Sequence, residues 1–538
     1  MKRGDALLLA AIVAAAALLR LWGIRWGLPA TYHPDEHQYV DSAVAMLGGD
    51  LDPGRFNNPS LLKYLNLAWI ALLYGGGKLV GTWPDAAAFQ SAFGQDPTLV
   101  YTLARAFVAM LGVATVALTG HVARLAFDMR TGLAASALLA GAFLHVRDAH
   151  FAVSDVPATL WVVLALWLAL RLLEAGRPRD LVLGGALVGL ATATKYSAAI
   201  VALPLGLAWL MHGSATAPAR LRRIFTAAPA GAAVAAGLSF LAAVPFALIN
   251  RPAFWEDVST LAARGREGFK GLAIDPAPGW IFYGKSLAWG LGWPLLAVVI
   301  LALLLACASR RRIPIVLASL PLLLWLWLGS QLLMFARFML PALPPLLILA
   351  AWALTRAAEG LASRGPWQMS PGRIAALLTA LVLAPSLASA LRYDQLLGRE
   401  DTRTLAAAWL ERDLRAGTRI LVQSNGPEIQ GDTVERIGTL DLPEQALEAW
   451  RDEGWQVLVT SSFSTDRRLL DADRDAAYRA YYADLEERLP LLAEFSPRAT
   501  GGRPPFVFAQ VYGPATALWS LARPGPLLRV YDLGALAP

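Results

Sequence analysis

Runs of about 20 apolar residues recur along most of this 538-residue chain, and they constrain its fold more than any other feature. A helical run of that length matches the hydrocarbon thickness of a bilayer. The composition agrees, because 56% of the residues are hydrophobic and only 16% are charged. Since lipid offers no hydrogen bonds to a backbone, the sequence predicts an all-α polytopic membrane protein.

Short arginine-rich connections between the apolar runs predict the orientation of the helices, because basic loops stay in the cytoplasm. With Lys2 and Arg3 also inside, this rule predicts about eleven spans. The predicted spans cover residues 5–24, 99–123, 131–147, 156–173, 181–196, 198–213, 224–246, 283–307, 313–330, 338–355 and 373–390. The first run is long for a signal-peptide core, so we expect it to remain as the first helix. The basic loops also explain the net charge of +7, and no nucleic-acid partner is predicted.

The segment 58–80 is apolar, but counting it as a span would place the arginines near residue 124 outside the cell. We therefore predict an oblique amphipathic helix on the outer membrane surface, with Lys63 reaching toward water. A short helix predicted for Glu36–Leu47 belongs to the same surface. With this choice the N-terminus is cytoplasmic and the chain after residue 391 is extracytoplasmic.

The composition changes after Leu391, where Asp, Glu and Arg become frequent. Short apolar runs alternate there with helical patterns, which predicts a soluble α/β domain of about 145 residues. The predicted strands are 419–423, 457–460, 506–511 and 528–531, and the predicted helices are 402–414 and 474–489. We therefore divide the chain into a membrane domain, residues 1–390, and an extracytoplasmic domain, residues 391–538.

Acidic and basic side chains collect in the loops that this topology places outside. The pair Asp35-Glu36 follows the first span, where burial in hydrocarbon would penalise ionised groups, so a functional role is the default hypothesis. The other candidates in outer loops are Asp155, Lys195, Arg264, Arg266, Lys270 and Arg337. Charged groups at a water–lipid boundary suit a substrate with a lipid tail and an anionic head.

Six motifs in these loops resemble one known family. They are His33-Pro34-Asp35-Glu36 with Tyr39, Gly48-Gly49-Asp50 with Asn58-Pro59, His150 to Asp155-Val156-Pro157, Ala193-Thr194-Lys195-Tyr196, Arg251 to Trp255, and Arg337 to Pro344. Taken in order, they resemble the outer loops of the GT-C glycosyltransferases. The most similar branch is the protein O-mannosyltransferase-like one, which includes the lipid A aminoarabinose transferases. The resemblance covers most of residues 1–355.

The resemblance implies a reaction and a set of roles. Enzymes of this family transfer a sugar from a polyprenyl-phosphate carrier to an acceptor on the outer face, usually with inversion. It implies that Asp35 is the catalytic base, since a carboxylate can accept the acceptor's proton, and that Asp155 is a second catalytic acid. Lys195 and Arg337 are then expected to bind the donor phosphate. The remaining candidates are Glu36 as a further catalytic acid and Arg264 and Arg266 as further phosphate ligands.

One motif departs from the family pattern. Some relatives have Glu-Lys immediately before the proline of the first loop, where this chain has Asn57-Asn58. A phosphate contact from that lysine, or a metal contact from that glutamate, is therefore not expected here.

Each candidate residue also has a structural interpretation. Asp35 and Asp155 could cap the helices that follow them, and Lys195 could simply reach toward water from the end of a span. His33 and His37 flank the acidic pair at a spacing that would suit a divalent metal on a helix. Hydrogen bonding within the loop is the simpler interpretation, and the chemistry requires no cofactor.

The sequence thus predicts a multi-pass plasma-membrane glycosyltransferase that takes a hexose or pentose from a polyprenyl phosphate. Its partners would be that donor, a lipid, glycan or protein acceptor, and membrane lipids. A secondary transporter is one alternative, but transporters place charges near the bilayer midplane and show internal repeats. A non-catalytic membrane assembly protein is another, and the intact Asp35-Glu36 pair argues against it.

Overall fold

The computed structural model describes residues 2–213, 216–268, 275, 277–364, 369–429, 434–437, 442–469 and 475–536.

Helices form the first part of the chain, as predicted. They are α1 (Arg3–Leu21), α2 (His37–Met46), α3 (Leu61–Leu79), α4 (Ala86–Gln95), α5 (Thr98–Ala126), α6 (Met129–Ala140), α7 (Phe143–Asp148), α8 (Asp155–Ala175), α9 (Pro178–Thr194), α10 (Ala202–Met211), α11 (Ala217–Arg222), α12 (Ala227–Ala243), α13 (Phe246–Ile249), α14 (Arg251–Glu267), α15 (Gly279–Leu291), α16 (Trp293–Ala308), α17 (Arg312–Gly329), α18 (Leu343–Arg364) and α19 (Pro371–Leu397). Two 3-10 segments, Tyr196–Val201 and Ala336–Ala342, lead into α10 and α18.

Several of these helices can cross a bilayer. Within the described residues, six helical segments are long and apolar enough, and they include α1, α5, α8, α17, α18 and α19. Shorter apolar helices at Tyr196–Met211, Ala227–Ala243 and Trp293–Ala308 coincide with further predicted spans. The polytopic membrane part is therefore confirmed, and the number of about eleven spans stays a prediction.

Two predicted spans are interrupted, which corrects their boundaries. The predicted span 131–147 is divided into α6 and α7 at Gly141-Ala142, and the predicted span 283–307 is divided into α15 and α16 at Gly292. Gly292 has φ +77°, a conformation that favours glycine, and an added Cβ would lie 3.2 Å from the side chain of Pro385. The proline that follows Trp293 then begins a new helix. The breaks separate the short helices α7 and α15 from α6 and α16.

The predicted outer helices α2 and α3 are present. One face of α3 is buried through Leu62, Lys63, Asn66 and Ile70, and the other faces outward. This helix is absent from the segments that are long and apolar enough to span, as expected for an amphipathic helix at the interface. Its position on the membrane surface stays a prediction.

The C-terminal part forms the predicted α/β domain. Its strands are β1 (Ile420–Gln423), β2 (Val434–Ile437), β3 (Val457–Ser461), β4 (Leu491–Phe495) and β5 (Leu528–Asp532), in the order β2-β1-β3-β5-β4. The first three are parallel, and β5 pairs antiparallel with both β3 and β4. The helices are α20 (Thr402–Asp413), α21 (Leu447–Asp452), α22 (Ser462–Arg468) and α23 (Ala476–Arg488).

Both faces of the sheet are buried. Val422 and Val459 pack with Leu410 of α20 on one face, and Leu421 and Leu458 pack with residues of α23 on the other. Because successive strand side chains point to opposite faces, a strand that is buried at every residue, such as β3, indicates that the sheet is covered on both sides there.

One predicted strand is wrong. The segment 506–511 lies outside the sheet, and Phe508–Tyr512 is a fully buried 3-10 turn. Its apolar residues pack in the same core cluster as the membrane helices, including Phe335 and Leu340. Burial against the other domain therefore produced the apolar pattern that suggested a strand.

The topology predicts which side chains an impermeant thiol reagent reaches. After Cys307→Ala, single cysteines at the exposed positions Thr82 and Glu411 should react in intact cells, and cysteines at Arg130 and Arg311 should react only after permeabilisation. Labelling at 130 but not at 82 in intact cells would show that α3 crosses the bilayer and would reverse the predicted sidedness.

Candidate active site

Four charged side chains form a continuous chain of ion pairs at the ends of membrane helices that lie next to the C-terminal domain. Arg337 Nη2 lies 2.5 Å from Asp35 Oδ2, and Arg337 Nε lies 3.6 Å from Asp155 Oδ2. Lys195 Nζ donates to the other Asp155 oxygen at 2.6 Å. Two acids thus alternate with two bases in the order Asp35–Arg337–Asp155–Lys195, which we call the charge chain. These are four of the eight candidate residues that the sequence analysis names.

Each member of the charge chain sits where a helix begins or ends. Asp35 precedes α2, Asp155 opens α8, Lys195 follows α9, and Arg337 lies in the 3-10 turn before α18. The fold therefore gathers residues that are up to 302 positions apart in sequence.

The members differ in access to solvent. The exposed fraction of the side chain is 4% for Asp155, 9% for Arg337, 14% for Lys195 and 23% for Asp35. Asp35 is therefore the group that an incoming molecule reaches first. Asp155 is the innermost, and both of its oxygens face cations.

Arg337 retains unused hydrogen-bonding capacity. Its Nε and Nη1 atoms are buried and make no well-formed hydrogen bond to any described residue. Unpaired buried donors are costly, so these atoms favour an anion placed beside them.

Aromatic rings surround the two cations. The guanidinium of Arg337 lies 4.2 Å from the ring centre of Tyr512 and 4.7 Å from that of Phe335. Lys195 Nζ lies 4.5 Å from the ring centre of Phe338. The rings hold the cations by cation–π attraction, which leaves their N–H groups free to donate elsewhere.

Tyr512 was missed by sequence reasoning, which placed every site residue before residue 340. It belongs to the C-terminal domain, in the 3-10 turn Phe508–Tyr512. Arg147 holds this turn by donating to the carbonyl oxygens of Ala509, Gly513 and Pro514, the last at 3.1 Å. The same guanidinium pairs with Asp148 at 3.2 Å. The C-terminal domain thus supplies part of the wall of the site.

His33 lies beside the charge chain as a neutral ring. Burial lowers the pKa of His33 well below its usual value, and the positive charge of Arg337 lowers it further. Its Nδ1 accepts a hydrogen bond from the backbone amide of Asp35 at 3.2 Å, which fixes the start of α2. Because α2 begins only at His37, the two histidines do not share a helix, and the helical spacing expected of a metal pair is absent. No cluster of three or more metal-binding side chains occurs among the described residues.

Glu36 has a different environment from Asp35, although the two are adjacent. Both Glu36 oxygens bind Arg105, at 2.8 and 2.7 Å, and one also accepts from the amide of Ala152 at 2.8 Å. Arg105 in turn donates to the carbonyl oxygens of Ile24 and Trp26. This fully buried pair fastens the first loop to α5. We therefore reassign Glu36 from a catalytic acid to a structural ion pair.

The remaining candidates lie outside the charge chain. Arg264 and Arg266 are exposed on α14, and Lys270 falls outside the described residues. Asn57 and Asn58 donate to the side chain of Gln38, Asn58 at 2.7 Å. A role for Arg264 and Arg266 as phosphate ligands stays a prediction.

Known proteins match this chain in sequence. A family model described as dolichyl-phosphate-mannose-protein mannosyltransferase matches residues 93–247, a range that contains Asp155 and Lys195. The undecaprenyl phosphate-alpha-4-amino-4-deoxy-L-arabinose arabinosyl transferase of Pseudomonas aeruginosa strain PAO1 is 28% identical over 395 residues. The alignment covers 68% of this chain and 64% of that relative, so the chain spans less than two thirds of its length.

Solved structures match the fold. ArnT from Cupriavidus metallidurans bound to undecaprenyl phosphate superposes with a TM-score of 0.51 at 15% identity, covering 100% of both chains. The oligosaccharyltransferase AglB from Archaeoglobus fulgidus, in complex with an inhibitory peptide and a dolichol-phosphate, gives 0.54 at 12% identity, covering 93% of this chain and 74% of that one. These matches confirm the GT-C fold and the predicted resemblance.

The two adjacent acids should respond differently to substitution. Glu36→Ala leaves Arg105 buried without its partner, a change that costs about 3–5 kcal/mol, and the apparent Tm in detergent should fall clearly. Asp35→Asn keeps the size of a more exposed side chain, and Arg337 still faces Asp155, so the apparent Tm should fall less than in Glu36→Ala. An unchanged Tm in Glu36→Ala, together with lost activity, would contradict the structural assignment of Glu36.

Proposed function

We propose that this chain, which has the GT-C fold and resembles the protein O-mannosyltransferase and aminoarabinose transferase superfamily, is an integral-membrane glycosyltransferase. Its donor is a hexose or pentose linked to a polyprenyl phosphate, and its acceptor is a hydroxyl-bearing lipid, glycan or protein at the extracytoplasmic face. The relatives' names support the donor class, since they act on or bind undecaprenyl or dolichol phosphates.

The observation that carries this proposal is the charge chain itself. It combines a solvent-accessible carboxylate with two cations at the level where a membrane-anchored phosphate would lie. Transfer of a sugar from a phosphate needs both groups, because a proton leaves the acceptor while negative charge develops on the leaving phosphate.

Asp35 is the proposed general base. Its Oδ2 is held by Arg337, and its Oδ1 makes no hydrogen bond to the described residues. The acceptor hydroxyl would transfer its proton to Oδ1 while its oxygen attacks the anomeric carbon. The bond from that carbon to the phosphate oxygen then breaks, and the electron pair leaves with the phosphate. A single displacement of this kind inverts the anomeric configuration.

Lys195 and Arg337 are the proposed ligands of the leaving phosphate. Lys195 uses one of its donors on Asp155, and Arg337 has two nitrogens without well-formed hydrogen bonds. In a site with little water these donors stabilise developing negative charge more strongly than they would in bulk solvent.

Asp155 is proposed to position the cations rather than to accept the proton. Its two oxygens face Lys195 and Arg337, so it sets the distance between them before a donor arrives. With Asp35, it balances their charge while the site is empty.

Replacing Asp35 by Asn keeps the shape of the side chain and removes its ability to accept a proton. We expect transfer from an undecaprenyl-phosphate sugar to fall about 10²-fold or more in purified protein. The exposed Glu400→Gln serves as the matched control and should keep normal turnover. Normal turnover in Asp35→Asn would eliminate the proposed base.

Tyr512 offers a test of the contribution from the C-terminal domain. Tyr512→Leu removes the ring that covers Arg337, and loss of a desolvated cation–π contact of about 1–2 kcal/mol should raise the donor KM roughly five- to thirtyfold. Tyr512→Phe keeps the ring and should remain within about threefold of the original enzyme. Equal effects of Leu and Phe on donor KM would refute a role for the ring.

A further inference from the structure

A large groove lies apart from the charge chain, where the C-terminal domain meets the membrane helices. It has a volume of about 710 Å³ and is bounded by α15, α16, α19 and the segment 515–519. Its wall includes Lys285, Trp289, Trp293, Pro385, Ser389 and Trp519. No member of the charge chain lines it. We call it the outer-leaflet groove.

The helix lengths give the depth of this groove in the bilayer. From its cytoplasmic end, α16 rises about 24 Å to Trp293, which lies within a hydrocarbon layer about 30 Å thick. Gly279, the first residue of α15, lies beside Gly329 at the end of α17, so α15 runs obliquely after the break at Gly292 and Lys285 lies close to the depth of Trp293. Pro385 lies about 21 Å from the cytoplasmic start of α19, so this helix gives the same depth. The groove therefore lies near the end of α16, beside the oblique α15.

Two tryptophans that line the groove have largely exposed side chains. Trp293 is 74% exposed and Trp519 is 70% exposed. Trp293 begins a membrane helix, whereas Trp519 belongs to the C-terminal domain, and both exposed rings line the same groove. Tryptophan favours the membrane–water interface, so Trp519 indicates that this domain touches the lipid at this point.

Lys285 gives the groove a positive charge. Its ammonium is exposed and makes no hydrogen bond or ion pair to the described residues. It is the only charged side chain on the described wall, and its long side chain can extend from the end of α16 toward lipid head groups. An apolar slot with one cation at its outer end is complementary to an anionic lipid.

We propose that the outer-leaflet groove binds an anionic glycerophospholipid that is not a substrate. Its acyl chains lie against Trp289, Trp293 and Pro385, and its phosphodiester pairs with Lys285 below Trp519. The lipid thereby joins the C-terminal domain to the membrane helices. This proposal is independent of the proposed glycosyl transfer, because its test measures no turnover.

Native mass spectrometry of the purified full-length protein tests the site. The protein is given equimolar phosphatidylglycerol and phosphatidylcholine with identical oleoyl chains, and it should retain the anionic lipid about tenfold more often. Lys285→Glu should remove this preference, a tenfold change that corresponds to about 1.4 kcal/mol, and Lys285→Arg should keep it. Trp519→Ala should lower retention of both lipids.

Lys78→Glu is the matched control, since it makes the same charge change on an exposed lysine at the end of α3. It should leave the preference intact. The proposal is overturned if the original protein shows no preference, if Lys78→Glu removes it as fully as Lys285→Glu, or if Lys285→Arg also loses it. Displacement of the bound lipid by equimolar undecaprenyl phosphate would assign the groove to the carrier and would equally overturn it.

Discussion

A charge that is removed from water is tolerated only when an opposite charge or several dipoles lie beside it, and this constraint organises the outer end of the membrane domain. Arg337 is nearly buried, so it requires both Asp35 and Asp155, and Asp155 in turn requires Lys195. Four elements from distant parts of the sequence must meet for this chain to close. The same ion pairing also leaves two cations and a carboxylate next to one another at the ends of the membrane helices.

Two further buried arginines, Arg105 and Arg147, hold the backbone segments that surround the charge chain. Arg105 neutralises Glu36 and takes two carbonyl oxygens of the first loop, which fixes the backbone that carries Asp35. Arg147 takes three carbonyl oxygens from the C-terminal domain and so presents Tyr512 to Arg337. The first loop and the C-terminal domain are therefore parts of the site's construction rather than attachments to a helical bundle.

The membrane helices and the charge chain were predictable, because hydrophobic length and charged outer loops are local signals. Asp35, Asp155, Lys195 and Arg337 were each identified from their loops and do meet. The different fates of Asp35 and Glu36 were not predictable, since the distinction depends on Arg105, which is 69 residues away in sequence from Glu36. The role of Tyr512 was not predictable for a similar reason. Its segment is apolar because the membrane domain buries it, and from sequence alone that pattern resembles a strand. The helix break at Gly292 was not predictable either, because it depends on the close approach of Pro385 to that glycine.

The central claim is that the charge chain receives the phosphate of a polyprenyl-linked donor. A cryo-EM structure of the full chain with undecaprenyl phosphate, determined alongside Arg337→Ala, tests it most directly. The account predicts phosphate density within hydrogen-bonding distance of Arg337 and Lys195, with Asp35 still facing the solvent side, and weakened density in the variant. Phosphate density at another site, with the ion pairs of the charge chain unchanged, would contradict it.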